Sequence, residues 1–171
     1  MGTRHFQLLP RHKFQLFTWG EDATEFVRVF RSCWKKIPTG ARRAMLAHWR
    51  SGDLPHYPSV ELSKLWVDSI GSFGQVTASG MKLRFSAEDF AIFPDSIAGW
   101  VIAHELAHVY QSALGRPPDG VNVERSEREA DDIAKSWGFD KTPTNLLRLL
   151  TQMQRLSVVE ACKKLVRGGL A

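Results

Sequence analysis

A long apolar segment near the middle of the chain constrains the fold more than any other feature. Residues Ser96 to Leu114 carry apolar side chains on nearly all sides of a predicted helix, and Asp95 is placed to cap its start. Gly115 and the Pro117-Pro118 pair end the segment, because glycine commonly terminates helices and proline cannot continue them. We therefore expect a buried central helix.

Within this helix, residues 104 to 108 form the pattern HExxH. A spacing of four puts His104 and His108 on one face, about one turn apart, so both imidazoles can reach one ion. Zn²⁺ suits such a site because its catalytic sites use three protein ligands and one position for water. Glu105 is then placed to take a proton from that water. The competing interpretation is that both histidines form hydrogen bonds in a core and Glu105 forms a surface ion pair.

A third ligand has to come from elsewhere, since no histidine follows His108. The metzincin extension is absent, because Gln111 and Leu114 stand where that motif requires glycine and histidine. The available carboxylates cluster at the start of the next predicted helix, at Glu124, Glu127, Glu129, Asp131 and Asp132.

Helical phase ranks these carboxylates. An inward-facing stripe is predicted from three residues, Ala130, Ala134 and Trp137. At about 100° per residue, Glu127 lies roughly 50° from the centre of this stripe, whereas Glu124 and Glu129 lie more than about 100° away. Glu127 is therefore the predicted third ligand. Asp131, one turn later, is predicted to accept the free ring N–H of a ligand histidine, while Glu129 and Asp132 are expected to be solvated charges.

These motifs resemble those of the gluzincins, thermolysin-like zinc peptidases with HExxH on one helix and a glutamate ligand in ExxxD on a later one. The second motif here is Glu127 to Asp131, which begins 19 positions (127 − 108) after His108. Its Glu-x-x-Ala-Asp form, followed by Ala134 and Trp137-Gly138-Phe139, is most similar to compact cytoplasmic and HtpX-type members. The resemblance covers roughly residues 81 to 139.

The resemblance implies a role for each motif residue. His104, His108 and Glu127 would bind zinc, Glu105 would act as general base, and Asp131 would orient a ligand histidine. In that family, substrate peptides lie antiparallel to an edge strand that precedes the motif helix, a pairing that recognises main chain more than side chains.

Two features of the implied substrate site stay open in the sequence. Met81 to Phe85 is the candidate edge strand, although the same residues fit an ordinary core strand. Larger relatives stabilise the oxyanion with a downstream histidine or tyrosine, and neither residue type follows Tyr110 here. Tyr110 lies about 200° round the helix from His108 and is expected to point away from the metal. Tyr57 and His56 remain as alternatives, each with a structural role as the simpler interpretation.

The rest of the pattern predicts an α+β fold. Helices are expected at Glu21 to Lys36, Ala41 to Arg50 with Thr39 as N-cap, Asn122 to Trp137, Asn145 to Arg155 and Val158 to Val166. A hairpin joins Gln75–Ala78 to Met81–Phe85 through Ser79-Gly80, and Val60 to Val67 fits a short strand with a turn or a helix. We expect a small zincin-like domain, mostly helical, with a short antiparallel sheet. It would be one domain over residues 1 to 171, with a motif-bearing core at 81–139 and C-terminal helices within 142–171.

Composition favours an intracellular protein. Two cysteines are too few for a disulfide scaffold, and charged residues interrupt every early apolar run, so we expect no export, no membrane span and a cytoplasmic location. The leading hypothesis is a zinc endopeptidase acting on a specific protein or peptide. A net charge of +5 is compatible with targets near nucleic acid, as in ImmA/IrrE-type peptidases, which the chain also resembles.

Two other classes of function remain open. One is a non-catalytic module that retains zinc for stability, although an intact Glu105 speaks against it. The other is a nucleic-acid-binding protein, suggested by charge and by Lys163, Lys164 and Arg167 but by no recognisable motif. SprT-type peptidases resemble the chain less, because their third ligand is a histidine.

Overall fold

The computed structural model describes residues 4–9, 14–18, 23–51, 59–63, 74–76, 82–117 and 122–140. All of them belong to the first of two units of the chain, Met1–Lys141; the second is Thr142–Ala171. The predicted C-terminal helices lie outside the described residues, so the single-domain organisation stays a prediction. No helix in the described ranges is long and apolar enough to cross a membrane.

Five strands form one sheet, in the order β1-β2-β3-β5-β4. Their bounds are β1 Arg4–Leu9, β2 Phe14–Thr18, β3 Ser59–Ser63, β4 Gly74–Val76 and β5 Lys82–Ser86. The two outer pairs, β1 with β2 and β4 with β5, are antiparallel. The two inner pairs, β2 with β3 and β3 with β5, are parallel. The fold is α+β at this coarse level, but the prediction of an antiparallel sheet is wrong, because the sheet is mixed and its centre is parallel.

Five helices accompany the sheet: α1 Thr24–Lys36, α2 Thr39–Ser51, α3 Ala87–Ile92, α4 Asp95–Ala113 and α5 Val123–Ser136. Helices α1 and α2 form the connection that allows β2 and β3 to run parallel, since parallel neighbours need a long crossover. Strands β1 and β2 and helix α3 were not predicted from the sequence. Helix α3 has a local signal in Ser86, whose side chain accepts a hydrogen bond from the Asp89 amide at 3.3 Å as an N-cap.

Most predicted helix boundaries are confirmed, and two caps are wrong. Helix α1 ends at Lys36, followed by Ile37 in an extended conformation, as expected before proline. Thr39 is the first residue of α2 and not its N-cap. Asp95 is likewise the first residue of α4, where its carboxylate accepts two hydrogen bonds of 2.7 Å from Arg28 of α1.

Helix α4 lies at the centre of the described unit and contacts α1, α2, α5 and β4. Most of its residues are buried, which confirms the prediction of a central apolar helix. One face of the sheet supplies Val60, Leu62, Leu83 and Phe85 to the core, and Phe85 meets Phe26 of α1 with ring centroids 5.2 Å apart. The core therefore lies between this sheet face and the helices, with α4 packed in its middle.

The hairpin formed by β4 and β5 is confirmed as a pairing, with Gln75 opposite Arg84, while its turn lies outside the described residues. The prediction that Met81 to Phe85 forms an edge strand is wrong. Strand β5 is paired on both sides, with β3 and with β4, so its main-chain groups are already used within the sheet. Among the described strands, β4 is the outermost on this side, and it contacts α4.

Helix α5 packs on α4 through small side chains. Ala130 and Ala134 are fully buried and Trp137 is nearly so, which confirms the predicted inward stripe. Gly138 follows at a φ of +85°, a left-handed conformation that glycine adopts without strain and that ends the helix. Small residues let the two helices approach closely, so the N-terminal turns of α5 reach the motif face of α4.

We expect Ala134→Leu to lower the free energy of unfolding by about 1–3 kcal/mol, because the added carbons overfill a fully buried position between α4 and α5. Lys135→Leu is the matched control, since Lys135 is exposed on the same helix and the same residue introduced there should change stability by less than about 0.5 kcal/mol. Urea unfolding measures both. Equal losses in the two variants would contradict the close packing described here.

Candidate metal centre

Two histidines of α4 face each other. His104 and His108 lie four residues apart, and their Nε2 atoms are 3.2 Å from one another. The ring centroids are 4.8 Å apart and the planes nearly perpendicular, at 88°. His108 is buried and His104 only slightly exposed, so both rings are held by packing as well as by helix geometry.

A carboxylate from α5 reaches both rings. Glu127 Oε2 lies 3.0 Å from His104 Nε2, and Glu127 Oε1 lies 3.3 Å from His108 Nε2. The three residues are the one His/Cys/Asp/Glu group of metal-binding geometry among the described parts of the chain, with all ligand atoms within 4.8 Å of one another. Glu127 is half-exposed, whereas the two histidines are not. The three residues therefore lie where the buried face of α4 meets the protein surface.

The two imidazole nitrogens have the spacing expected in a tetrahedral zinc site. With metal–ligand distances of about 2.0–2.1 Å and tetrahedral angles, neighbouring ligand atoms stand about 3.3 Å apart. The 3.2 Å between the two imidazole nitrogens is close to this value, and Glu127 places one oxygen 3.0 Å from His104 Nε2 and its other oxygen 3.3 Å from His108 Nε2. Two imidazole nitrogens and one carboxylate are also the donor set of catalytic zinc sites that keep a fourth position for water. The residues therefore fit the ion.

Each histidine has an acceptor on its other ring nitrogen. Asp131 Oδ1 lies 3.1 Å from His104 Nδ1, and Gln111 Oε1 lies 2.8 Å from His108 Nδ1. Carboxylate and amide oxygens accept hydrogen bonds, so each Nδ1 carries the hydrogen. In the neutral rings, both Nε2 lone pairs then point towards Glu127. Three electron-pair donors that converge in this way repel one another unless a cation or a proton lies between them.

In the metal-free chain, a proton stabilises this convergence. Burial lowers the pKa of His104, but hydrogen bonds to Asp131 and Glu127 outweigh it and raise the pKa to about 10. The hydrogen bond from His104 is the largest effect that holds the pKa of Glu127 well below its ordinary value, against the opposing effect of its partial burial. Without metal, His104 is therefore a cation between two carboxylates, and a bound cation would replace that proton.

Glu105 lies between the histidine-bearing face of α4 and the sheet. Its side chain is only 8% exposed, and burial raises the pKa of its carboxyl, although the nearby charges of His104 and His108 oppose this. Strand β4 passes directly over it. A Cβ built on Gly74 would lie 2.6 Å from Glu105 Cγ and 2.8 Å from Oε1, so a side chain at residue 74 would displace Glu105.

The structure thus brings together four residues predicted to act at the metal, His104, His108, Glu127 and Asp131, with Glu105 beside them. Glu124 is almost fully exposed. The prediction that Glu129 is a solvated charge is wrong, because it forms an ion pair with Arg116 that ties α5 to the end of α4. Asp132, by contrast, is exposed.

The residues considered for oxyanion stabilisation are not brought to the centre. The Tyr110 ring packs against Trp137 with centroids 5.9 Å apart. His56 and Tyr57 lie outside the described residues.

Gln111 is a residue of the site that was not predicted from the sequence. It entered only as a mismatch to the metzincin motif, although its position three residues after His108 is a contact spacing on a helix. Its amide joins His108 to Ser126, the residue before Glu127.

Comparison with protein family models, curated proteins and solved structures found no significant match to this chain. The gluzincin resemblance therefore rests on the two motifs alone and stays a prediction.

We expect zinc binding to release about one proton per chain near neutral pH, because His104 has a folded-state pKa of about 10 and must lose its proton to become a ligand. The raised pKa keeps the proton bound at neutral pH, so zinc affinity should rise with pH towards about 10 and fall as the solution is acidified. Titration calorimetry in buffers of different ionisation enthalpy measures the released protons. Zinc binding with no proton released would contradict this description of the metal-free centre.

Proposed function

We propose that this chain is a zinc-dependent endopeptidase that hydrolyses peptide bonds of a specific intracellular protein. His104, His108 and Glu127 would hold Zn²⁺, Glu105 would act as general base and Asp131 would orient His104. One observation carries the proposal: the Nε2 atoms of His104 and His108 lie 3.2 Å apart, and each lies within 3.3 Å of a Glu127 oxygen, next to the buried Glu105. Zinc in such a site lowers the pKa of a water to about 7 and polarises the scissile carbonyl.

Glu105 would then move the protons of the reaction. Its carboxylate accepts a proton as the water oxygen forms a bond to the carbonyl carbon of the substrate. The same carboxyl returns that proton to the amide nitrogen as the C–N bond breaks, which leaves a carboxylic acid and an amine, and transfer of the acid proton to the amine then gives a carboxylate and an ammonium group. Burial of Glu105 supports both steps, because the raised pKa of its carboxyl favours holding the proton between them. Asp131 would keep His104 in the tautomer that presents Nε2.

Strand β4 is the best candidate to bind substrate. It is the outermost described strand on this side of the sheet and lies against Glu105, so a peptide paired along it would pass close to the base. A short strand such as Gly74–Val76 offers few pairing groups, which suits a restricted substrate range. The net charge of +5 would favour targets bound near nucleic acid, and the free, buried Cys33 is compatible with the reducing cytoplasm.

A non-catalytic protein stabilised by zinc is the alternative. The position of Tyr110 favours it, because this tyrosine packs on Trp137 and leaves the oxyanion of the proposed reaction without that donor. In this case the metal would contribute folding free energy by joining α4 to α5. The two functions differ in whether Glu105 matters once zinc is bound.

The metal centre is tested by substituting the carboxylates of α5. We expect about one zinc per wild-type chain, and Glu127→Ala should weaken binding by more than the roughly 10–100-fold that loss of an outer-shell partner costs. Glu124→Ala and Glu129→Ala are matched controls on the same helix that should retain wild-type affinity. Chelator competition measures the dissociation constants. Equal losses in all three variants would contradict the assignment of Glu127.

Catalysis is tested by Glu105→Gln, which keeps the shape of the side chain but removes the base. We expect unchanged zinc content and at least about a 100-fold loss of cleavage of a quenched fluorescent peptide library. His104→Ala should lose both zinc and cleavage. Cleavage by Glu105→Gln at the wild-type rate would remove the catalytic assignment, whereas zinc binding without cleavage by the wild-type chain would favour the non-catalytic alternative.

A further inference from the structure

Gln111 is a buried polar residue in the last turns of α4 whose amide oxygen and nitrogen both form hydrogen bonds. Its Oε1 accepts from His108 Nδ1 at 2.8 Å and from the Ser126 hydroxyl at 3.3 Å. Its Nε2 donates to the Ser126 main-chain carbonyl at 3.0 Å. The side chain is about 1% exposed, so these contacts are made out of reach of solvent competition.

The Ser126 carbonyl fixes the orientation of this amide. A main-chain oxygen only accepts hydrogen bonds, so the NH₂ group of Gln111 must face it and the amide oxygen must face His108. His108 in turn must donate from Nδ1, which leaves its Nε2 lone pair directed at Glu127. Reversing the amide would leave His108 and Ser126 with mismatched partners in a buried site.

The same amide also acts on the other helix. Ser126 immediately precedes Glu127, so the hydrogen bond to its carbonyl holds the turn of α5 from which Glu127 extends. One side chain thus sets the tautomer of a histidine on α4 and the placement of a carboxylate on α5. Asp131 makes the corresponding contact to His104 but from α5 itself, and it does so as a carboxylate.

The Gln111 side chain carries no charge, and this affects the charge balance of the site. A zinc ion carries two positive charges, and the carboxyl groups of Glu127, Asp131 and Glu105 already lie close to the proposed site. A carboxylate at residue 111 would add an uncompensated negative charge at a buried position, whereas an amide orients His108 without one.

We propose that Gln111 is a positioning residue that prepares His108 and Glu127 together for one metal ion, an inference that rests on the proposed zinc site. It adds a residue to the site that neither half of the HExxH and ExxxD pattern contains. It also makes the alignment of α5 on α4 part of metal recognition, because the same amide contacts both helices.

The first test is zinc affinity, measured by chelator competition on the full chain. Gln111→Leu, which keeps the side-chain bulk and removes all three hydrogen bonds, should raise the dissociation constant by about 10–100-fold. Glu129→Gln removes the ion pair with Arg116, a different polar link between α5 and the residues that follow α4, and should change the dissociation constant by less than about fivefold. Ser126→Ala keeps the carbonyl contact and should behave like that control. A wild-type dissociation constant in Gln111→Leu, or an equal loss in Glu129→Gln, would overturn the inference.

The second test is the tautomer of His108 in the metal-free chain, read from long-range proton–nitrogen NMR correlations in mildly alkaline solution. We expect the Nδ1–H form in the wild-type chain and loss of this preference in Gln111→Leu. Gln111→Glu restores an acceptor and should return the Nδ1–H form, and it also serves if Gln111→Leu does not fold. A purely structural role would lower the melting temperature and leave the tautomer unchanged, and that result would overturn the inference.

The two proposals fail in different ways. Wild-type zinc binding that Gln111→Leu leaves intact would overturn the role of Gln111 and leave the proposed function standing. A wild-type chain that binds no zinc would overturn the proposed function, and the His108 tautomer would then decide whether Gln111 positions this ring.

Discussion

The packing of α5 on α4 is the contact on which the rest of the site depends. Each helix alone carries an incomplete set of donors, with two imidazoles on one and a carboxylate on the other. Ala130 and Ala134 are fully buried, and their small size allows the close approach of the two helices that brings Glu127 to the histidines. The ion pair of Arg116 with Glu129 and the ring contact of Tyr110 with Trp137 stabilise the same docking away from the donors. Site geometry is therefore a property of a helix–helix interface more than of a motif.

The centre is also an electrostatic problem that packing alone does not solve. Placing Glu127 and Asp131 against two buried imidazoles concentrates negative charge at the edge of a low-dielectric core. In the metal-free chain the protonated His104 compensates part of that charge, as the raised pKa of its ring indicates. A divalent cation would compensate it more completely and would form bonds with all three donors. The site is thus suited to binding either a proton on His104 or a metal ion in its place.

Periodicity in the sequence predicted those parts of the molecule that are decided within one helix. The apolar α4, the end of α1 before Pro38 and the phase of α5 follow from local rules, and the juxtaposition of Glu127 with His104 followed from that phase. The order of the strands did not, because the parallel neighbours β2 and β3 are separated in sequence by two helices. The misassigned edge strand has the same origin, since only the three-dimensional sheet reveals that β5 has partners on both sides.

Side-chain networks were the hardest part to predict. Gln111 lies on the same face of α4 as His108, in a helix whose sequence is mostly apolar. It donates a hydrogen bond to a main-chain carbonyl, and such a partner cannot be recognised from residue types. Asp95 shows the opposite error, because a residue type typical of caps forms an ion pair with Arg28 instead. Local propensity describes the preferences of a residue within its own helix. Gln111 and Asp95 instead form these contacts with a neighbouring helix.

Gly74 makes the distance between the sheet and Glu105 a matter of main-chain geometry. The glycine is held in the ladder opposite Phe85, and its missing side chain is the space that the glutamate occupies. A side chain in this place could change rotamer and loosen the fit, whereas a paired strand moves only when its ladder breaks. The main chain of β4 therefore limits where the Glu105 carboxylate can lie. Gly74 sets this limit although it supplies no functional group of its own.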